Sequence, residues 1–153
     1  MLSEKMFEII VDSTPLVSID LVVRSPDNKV LLGKRVNRPA QGFWFVPGCR
    51  IMKNESIKAT FKRLLDDELY IKHDIDLKKS LGVYQHFYPD NFLGDRFGTH
   101  YVVLAYQIKL LNLPSTLPKI QHSEYKWFEE DELLKSSNVH EHTKWYFLEN
   151  KQT

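Results

Sequence analysis

The chain has 153 residues, of which 42% are hydrophobic and 27% are charged, and its formal net charge is +1. These values predict one domain (residues 1–153) with a buried core, and they argue against an extended nucleic-acid-binding surface while allowing a local basic pocket. The single cysteine, Cys49, excludes a disulfide framework and a cysteine-based zinc site, and the lack of a signal peptide or a ~20-residue apolar span predicts a cytoplasmic protein outside the membrane.

Hydrophobic periodicity and turn residues divide the chain into short elements. In chain order we expect a helix from the cap Ser3 to before Pro15, strands over 16–25, 29–36 and 43–46, a helix after the turn at Pro47 and Gly48, strands over 80–88, 100–110 and 124–129, a helical turn capped by Asp131, and a helix from Asn138 to about Glu149. Strands around one central helix are typical of an α+β fold or of a mixed α/β/α sandwich. Composition and periodicity do not choose between them.

The segment from residue 48 to 71 contains the central helix and an unusual carboxylate. Its apolar residues have the spacing of one buried helix face, and Glu68 projects into that face, between Ile57 and Phe61. A carboxylate that is buried near a helix C-terminus is costly unless it is paired. We therefore expect Glu68 to contact a cation, either an arginine or a bound metal ion. The apolar residues of this face are Ile57, Phe61, Leu64, Leu65 and Leu69.

The same segment resembles a Nudix box, whose pattern is Gly-x5-Glu-x7-Arg-Glu-apolar-x-Glu-Glu-x-Gly-apolar. The segments 13–23, 31–48, 84–92, 99–104 and 121–125 resemble those of GDP-mannose mannosyl hydrolases, an atypical Nudix branch. The likeness extends from about residue 7 to about residue 150, and it implies the Nudix sandwich fold. Within the box, Glu55, Arg63, Leu65, Glu68 and Ile71 match the pattern, whereas Cys49, Leu64, Asp67 and Tyr70 replace its first glycine, two glutamates and last glycine.

The resemblance implies a Mg²⁺ site, with Mn²⁺ as the alternative ion, formed by the Gly48 carbonyl and the side chains of Glu68 and Gln121. All three are oxygen donors, which Mg²⁺ prefers. Cys49 leaves the Gly48 carbonyl available but is poorly suited to a turn that requires a positive φ. The resemblance also implies that Glu55 and Arg63 support the loop before the helix, and Asp67 is placed to pair with Arg63 at i+4.

The replacement of two box glutamates, by Leu64 and Asp67, allows either an inactive fold or a reaction that needs fewer carboxylates. In the mannosyl hydrolase branch, water attacks C1 of the sugar with inversion and GDP leaves, and the base lies outside the box. The resemblance implies His122 as that base and Arg35 as the contact to the leaving group. An imidazole can accept a proton at neutral pH, although a single loop histidine is more often solvated.

The remaining site residues also come from the resemblance, and each has a structural alternative. Arg35 and Arg50 are expected to hold the diphosphate, since guanidinium groups match phosphate oxygens, but arginines are usually surface residues. Tyr101 is expected either to donate a hydrogen bond to a phosphate oxygen or to pack only its ring, and Phe7 either to stack on guanine or to belong to the core. Asp20 and His86 are expected either to contact the substrate or to form a buried structural pair. At least two of the aromatic residues of the third strand are expected in the core; these residues are Phe43, Trp44 and Phe45.

The implied reaction is hydrolysis of GDP-mannose, with GDP-glucose as a further candidate, by a homodimer whose N-terminal segment reaches across to the partner. Two alternatives stay open. One is cleavage at phosphorus by a Nudix pyrophosphohydrolase, which the missing carboxylates argue against. The other is a GDP-sugar-binding protein without turnover, for which Cys49 and Tyr70 are the reasons.

Overall fold

The computed structural model describes residues 1–72, 74–76, 79–113 and 122–149, and of residues 122 and 123 only the backbone. None of the helices in these ranges has the length and apolar character needed to cross a membrane. The elements are α1 (Glu4–Ser13), β1 (Leu16–Arg24), β2 (Val30–Arg35), β3 (Trp44–Phe45), β4 (Gly48–Arg50), α2 (Ile57–Leu69), β5 (Lys79–Tyr88), β6 (Thr99–Lys109), β7 (His122–Phe128), α3 (Glu130–Lys135), α4 (Glu141–Lys144) and a 3₁₀ helix (Trp145–Phe147).

Strand β1 is the centre of a mixed sheet in the order β3-β2-β1-β6-β5, in which β7 also pairs with β2. Along one edge β1 runs parallel to β6, beginning with Leu16 opposite Tyr101. Along the other edge it pairs with β2 at a single residue pair beside their turn, and then with β4, where Asp20 lies opposite Gly48. Strands β1 and β2 therefore diverge, and β4 lies in the opening between them.

Helices cover both faces of the sheet. Successive residues of β1 point to opposite faces, so alternate side chains of this strand pack against different helices. Ile19, Leu21 and Val23 belong to one buried cluster with the apolar face of α2. Val22 belongs to a second cluster with side chains from the C-terminal helices, including Leu133 and Tyr146. The arrangement is the expected α/β/α sandwich, and by alternation Asp20 faces the C-terminal helices.

Helix α2 begins at the N-cap Ser56, whose side chain accepts a hydrogen bond from the Ala59 amide at 3.1 Å. Glu68 is only 3% exposed, which confirms that it faces the interior. Ile57 was predicted on the same face but is 41% exposed, so the first buried apolar residue of the helix is Phe61, one turn later. The helix ends at Leu69, and the backbone of its C-cap, Tyr70, adopts the left-handed conformation with φ 54°.

The turn predicted at Pro47 and Gly48 continues directly into strand β4 rather than into the helix. A Cβ atom at position 48 would meet the Asp20 side chain and lie 2.9 Å from the Ile19 carbonyl oxygen. Glycine therefore allows β4 to approach β1 closely enough to pair. Cys49 follows within this extended strand and is not among the described residues with positive φ, so the concern about its turn does not apply.

Two helix starts near the C-terminus were predicted wrongly. Asp131 lies inside α3, whose N-cap is Glu129, and Asn138 does not cap α4. The carbonyl of Asn138 instead accepts a hydrogen bond from the Trp44 amide at 2.9 Å, which keeps this segment extended beside β3. The cap is His140, whose ring nitrogen Nδ1 accepts a hydrogen bond from the amide of His142 at 3.1 Å.

Candidate active site

Two adjoining cavities lie beside the divergence of β1 and β2. The larger, about 570 Å³, is bounded by α1, the loop after β2 and Phe92. The smaller, about 300 Å³, is bounded by residues of β1, β4 and β5. Arg35, Arg50 and Tyr101 line both cavities. An extended ligand can therefore occupy both spaces while its middle contacts two arginines and a phenol.

The larger cavity has an aromatic wall. The ring of Phe7 lies 4.8 Å from that of Phe92, and the Arg50 guanidinium lies 4.2 Å from the centre of the Phe7 ring. The prediction that Phe7 stacks on a base stays open, but Phe7 lines this cavity and is absent from both buried clusters. The aromatic surface and the adjacent cation suit a planar, electron-rich ring.

Ion pairs hold the loops around this larger cavity. Arg38, in the loop after β2, donates a hydrogen bond from Nε to Asp90 at 2.9 Å and also pairs with Asp95. Arg96 pairs with Glu8 of α1. The loop between β5 and β6 is thereby tied to both α1 and the loop after β2, so the cavity walls are connected before a ligand arrives.

Asp20 and His86 line the smaller cavity and meet through a third residue, Tyr146. The Tyr146 hydroxyl donates a hydrogen bond to Asp20 Oδ2 at 2.5 Å and lies 3.3 Å from His86 Nε2. Burial raises the pKa of Asp20 to about 6, while the Tyr146 hydrogen bond and the charge of Arg35 oppose the rise. The direct Asp20–His86 pair considered from the sequence is thus a three-residue network.

His86 of this network belongs to a cluster of three neutral histidines. His86 stacks on His142 with ring centres 4.3 Å apart, and His140 stacks on Phe45 at 4.8 Å. Burial lowers the pKa values of His86, His140 and His142 to about 3, 4 and 2. The charge of Arg35 adds to the effect at His140, and the repulsion that neighbouring imidazoles would exert on one another if protonated adds to it at His86 and His142. Sequence reasoning missed Tyr146, His140 and His142, and the only signal for them was two histidines and a tyrosine within seven residues of an otherwise ordinary helical segment.

Arg35 is placed to act on a ligand that spans both cavities. Its guanidinium carbon lies 5.5 Å from the Phe45 ring centre, and its buried Nε has no hydrogen-bond partner in the described part of the chain. Tyr101, beside it, is largely buried, and burial raises the pKa of its phenol. A buried guanidinium nitrogen without an acceptor favours an anionic ligand, because an unsatisfied donor is costly.

Arg63 supports the loop that carries Arg50. It donates two hydrogen bonds to the Glu55 carboxylate, at 2.8 and 2.9 Å, and one to the Arg50 carbonyl at 2.8 Å. The Arg63 guanidinium, with the Met52 amide and Thr60 hydroxyl, lowers the pKa of Glu55 to about 2. The predicted supporting role of Glu55 and Arg63 agrees with this geometry, but the hydrogen-bonding partner of Arg63 is Glu55 rather than Asp67.

Residues 14–148 match the NUDIX domain. The chain belongs to the Nudix family. A relative of this chain is the low-salt glycan biosynthesis protein Agl8 of Haloferax volcanii, which is 39% identical over 123 residues, or 80% of this chain and 76% of Agl8.

Solved structures agree on the Nudix fold. The MutT protein of Methanosarcina mazei Go1 aligns with a TM-score of 0.69 and 16% identity over 88% of this chain and 92% of its own. The NUDIX domain of Shewanella oneidensis NrtR, solved with ADP ribose, aligns with a TM-score of 0.65 and 20% identity over 95% and 96%. The predicted Nudix sandwich is confirmed.

Two of the three predicted metal ligands, Gly48 and Glu68, lie among the described residues. Glu68 accepts a hydrogen bond from the Tyr125 hydroxyl at 3.0 Å, and Gln121 lies outside the described residues. Within the described ranges, no three histidine, cysteine or acidic side chains converge as a metal site. Burial raises the pKa of the Cys49 thiol to about 11, so it does not offer a thiolate. The donor set that remains, the Glu68 carboxylate and the Gly48 carbonyl, is oxygen only and suits a hard cation such as Mg²⁺.

The structure thus brings most of the predicted site residues together in this Nudix chain. Glu68 lies apart from the cavity lining, although its charge contributes to the raised pKa of Cys49. His122 begins β7 opposite Arg35, and its side chain lies outside the described part of the structure. The residues that line the cavities are Phe7, Asp20, Arg35, Gly48, Arg50, His86 and Tyr101.

Proposed function

We propose that this protein hydrolyses GDP-mannose, with GDP-glucose as a further candidate, to GDP and free hexose by attack of water on C1 of the sugar with inversion. The observation that carries the proposal is the pair of adjoining cavities that share Arg35, Arg50 and Tyr101. Guanine occupies the aromatic cavity, hexose occupies the cavity that contains Asp20 and His86, and the diphosphate lies between them.

Charge supports this placement of the substrate. A diphosphate carries about two negative charges near neutral pH, and guanidinium groups bind phosphate oxygens through paired donors. When the C1–O bond breaks, negative charge develops on the departing GDP. Arg35 stabilises that charge, because its buried Nε has no other acceptor among the described residues.

The hexose cavity supplies groups that recognise hydroxyls. Neutral His86 and the Asp20 carboxylate both line it, and either can accept a hydrogen bond from a sugar hydroxyl. His122, which begins β7 beside Arg35, takes the proton of the attacking water as general base. Gly48, Glu68 and Gln121 are the residues that would hold Mg²⁺, which would supply positive charge opposite the diphosphate.

The relatives are consistent with a nucleotide-sugar substrate. One relative is a glycan biosynthesis protein, and one solved neighbour contains ADP ribose, in which a sugar is also attached to a diphosphate.

The resemblance further implies a homodimer formed through the N-terminal segment. Met6 and Ile9, on the outer side of α1, are 51% and 55% exposed and offer apolar surface for such a contact. Sedimentation velocity of the purified protein tests this assembly, and a monomer at micromolar concentration would contradict it.

Product analysis in ¹⁸O-enriched water tests the reaction. Purified protein is incubated with GDP-mannose and Mg²⁺, and we expect ¹⁸O in mannose and none in GDP. Label in GDP or GMP would instead establish attack at phosphorus and a pyrophosphohydrolase. GDP binding without any product, in Mg²⁺ or Mn²⁺, would identify a binding protein. Glu68→Gln is the matched control, because it changes a metal ligand and should abolish product at nearly constant side-chain size.

A further inference from the structure

We propose that Tyr146 is a positioning residue of the hexose cavity, whose hydroxyl holds Asp20 and His86 in the arrangement that recognises the sugar. This inference rests on the proposed function. Tyr146 lies in the 3₁₀ helix near the end of the chain, on an element that the Nudix box does not include. Its ring is 8% exposed and packs edge-on against Tyr84 at 4.7 Å, so the aromatic part belongs to the core.

The hydroxyl proton of Tyr146 has one consistent direction. An ionised carboxylate only accepts hydrogen bonds, so the hydroxyl donates to Asp20 Oδ2, 2.5 Å away. Its oxygen then has lone pairs left for His86 Nε2 at 3.3 Å. A neutral imidazole carries one proton, and here it must be on Nε2. Tyr146 therefore fixes the tautomer of His86 and leaves Nδ1 as an acceptor.

Packing fixes the plane of the His86 ring. His86 is 3% exposed and stacks on His142 with an angle of 13° between the rings. With the plane set by His142 and the Nε2 direction set by Tyr146, the imidazole has no remaining freedom of rotation. Groups that are held in place before the ligand binds lose little entropy on binding.

The same hydroxyl determines which oxygen of Asp20 is available to a ligand. Oδ2 is occupied by Tyr146, whereas Oδ1 lies on the side of Gly48, where a Cβ atom on that residue would collide with it. Gly48 also lines the smaller cavity. Asp20 therefore offers Oδ1 toward the hexose cavity, and loss of the Tyr146 hydroxyl would free the carboxylate to rotate.

Tyr146→Phe removes this hydroxyl and keeps the ring. We expect kcat/KM for GDP-mannose to fall about 10- to 100-fold, the usual effect of losing a hydrogen bond to a charged group, while the Kd for GDP changes less than about twofold. Tyr84→Phe is the matched control. It removes a hydroxyl that donates only weakly, at 3.4 Å, to the Leu81 carbonyl, and it should leave kcat/KM unchanged. An equal loss in both variants would mean a general packing effect and would overturn the proposal.

Two further measurements separate positioning from folding. The first is kcat/KM of the double variant Asp20→Asn, Tyr146→Phe, which we expect to resemble that of Asp20→Asn alone. If the losses of the two single variants multiply in the double variant, the two residues have independent roles and the proposal is overturned. Nitrogen NMR of wild-type protein at pH 8 should show His86 protonated at Nε2. A proton on Nδ1 would overturn the proposal whatever the kinetics.

The proposed reaction can fail without the positioning role failing. If wild-type protein releases no hexose, calorimetry compares its affinities for GDP-mannose and GDP in Mg²⁺. Tyr146→Phe should then lose the additional affinity for GDP-mannose and keep the affinity for GDP. An unchanged difference between the two ligands would overturn the role of Tyr146 in the hexose cavity.

Discussion

At residue scale, Tyr70 occupies the position of the last box glycine and keeps the glycine-like backbone. Its φ and ψ are 54° and 30°, and its amide still bonds to the carbonyls of Asp66 and Leu65 at the helix end. A side chain with a Cβ atom in this conformation costs about 1–2 kcal/mol relative to glycine. The helix end is thus preserved at some cost in stability, and Glu68 stays in the buried face.

Tyr70→Gly should increase the free energy of unfolding by about 1 kcal/mol, because glycine removes the strain while a side chain that is 53% exposed loses little packing. Urea denaturation measures the gain, provided that the dependence of the free energy of unfolding on urea concentration is the same in both proteins. Asn54→Gly is the control, since Asn54 has φ 68° but asparagine tolerates this region, so its gain should be smaller. A loss of stability in Tyr70→Gly would mean that the tyrosine ring makes a stabilising contact.

His122→Gln should lower kcat for GDP-mannose by about 10²–10⁴-fold, the usual contribution of a general base. The affinity for GDP should be nearly unchanged, because Arg35, Arg50 and the aromatic cavity remain. Steady-state kinetics and calorimetry with GDP measure the two quantities. His100→Gln is the control for a histidine outside both cavities. Full activity in His122→Gln would assign the base to another residue.

Residues that match a family pattern could be proposed from the sequence, and residues whose role depends on contacts formed only in the folded chain could not. Asp20 interrupts an apolar strand, and this burial cost alone marks it. Tyr146 carries no comparable signal, since a tyrosine in an apolar helical segment is ordinary. Its role appears only when the hydroxyl is placed between Asp20 and His86, which come from β1 and β5.

At the scale of elements, the loop from β4 to α2 is fixed by Arg63 and Glu55. Arg63 spans from the helix to the Arg50 carbonyl, so a helix residue determines where a predicted phosphate contact lies. The sequence predicted α2 well because 3.6-residue periodicity is a strong signal. It missed β4 because three residues are too few for a period, and because pairing depends on the close approach of Gly48 to β1.

Arg63→Lys should weaken GDP binding about 10-fold while α2 remains folded. Lysine keeps the charge but cannot reproduce the planar set of donors that reaches both Glu55 oxygens and the Arg50 carbonyl. Calorimetry with GDP and far-ultraviolet circular dichroism measure binding and helix content. Lys62→Arg, at an adjacent position with a side chain that is 73% exposed, is the control and should bind GDP normally. Unchanged binding in Arg63→Lys would show that Arg50 is placed without this support.

At the scale of the whole molecule, composition and periodicity predicted the sandwich only as one of two classes, and the family resemblance chose between them. Alternation and apolar runs identified the strands, but the parallel pairing of β1 with β6 joins segments that no local pattern relates. The two clusters on opposite faces of the sheet then distinguish the layers. Sequence patterns describe what each element buries, whereas the partner of each element depends on the rest of the chain.

Stability should decrease as the pH falls below about 6.5, because the buried histidines are neutral in the folded protein and protonate in the unfolded chain. The pKa of His142 is about 2 in the folded protein, so between about pH 6.5 and pH 2 this residue binds a proton in the unfolded state and not in the folded state. This costs about 1.4 kcal/mol per pH unit for each such histidine. Asp20, whose pKa is raised, opposes the trend below about pH 6.

Urea unfolding at pH 7.5 and pH 5.5 measures this dependence, and His142→Phe isolates one contribution. The variant keeps an aromatic ring against His86 and removes a group whose buried Nδ1 has no partner in the described ranges. Its free energy of unfolding should therefore depend less steeply on pH than that of the wild type. Identical slopes would show that His142 does not titrate differently in the two states.

The hydrogen bond between Tyr146 and Asp20 joins residues 126 positions apart. During synthesis at about 5–20 residues per second, Asp20 leaves the ribosome about 6 to 25 seconds before its partner does. Helix α2 can form within that interval, but the cavity that contains Asp20 and His86 cannot be complete. A nascent chain arrested before Tyr146 would thus have much of the Nudix core and an incomplete cavity, so the pocket proposed to bind the hexose is completed last.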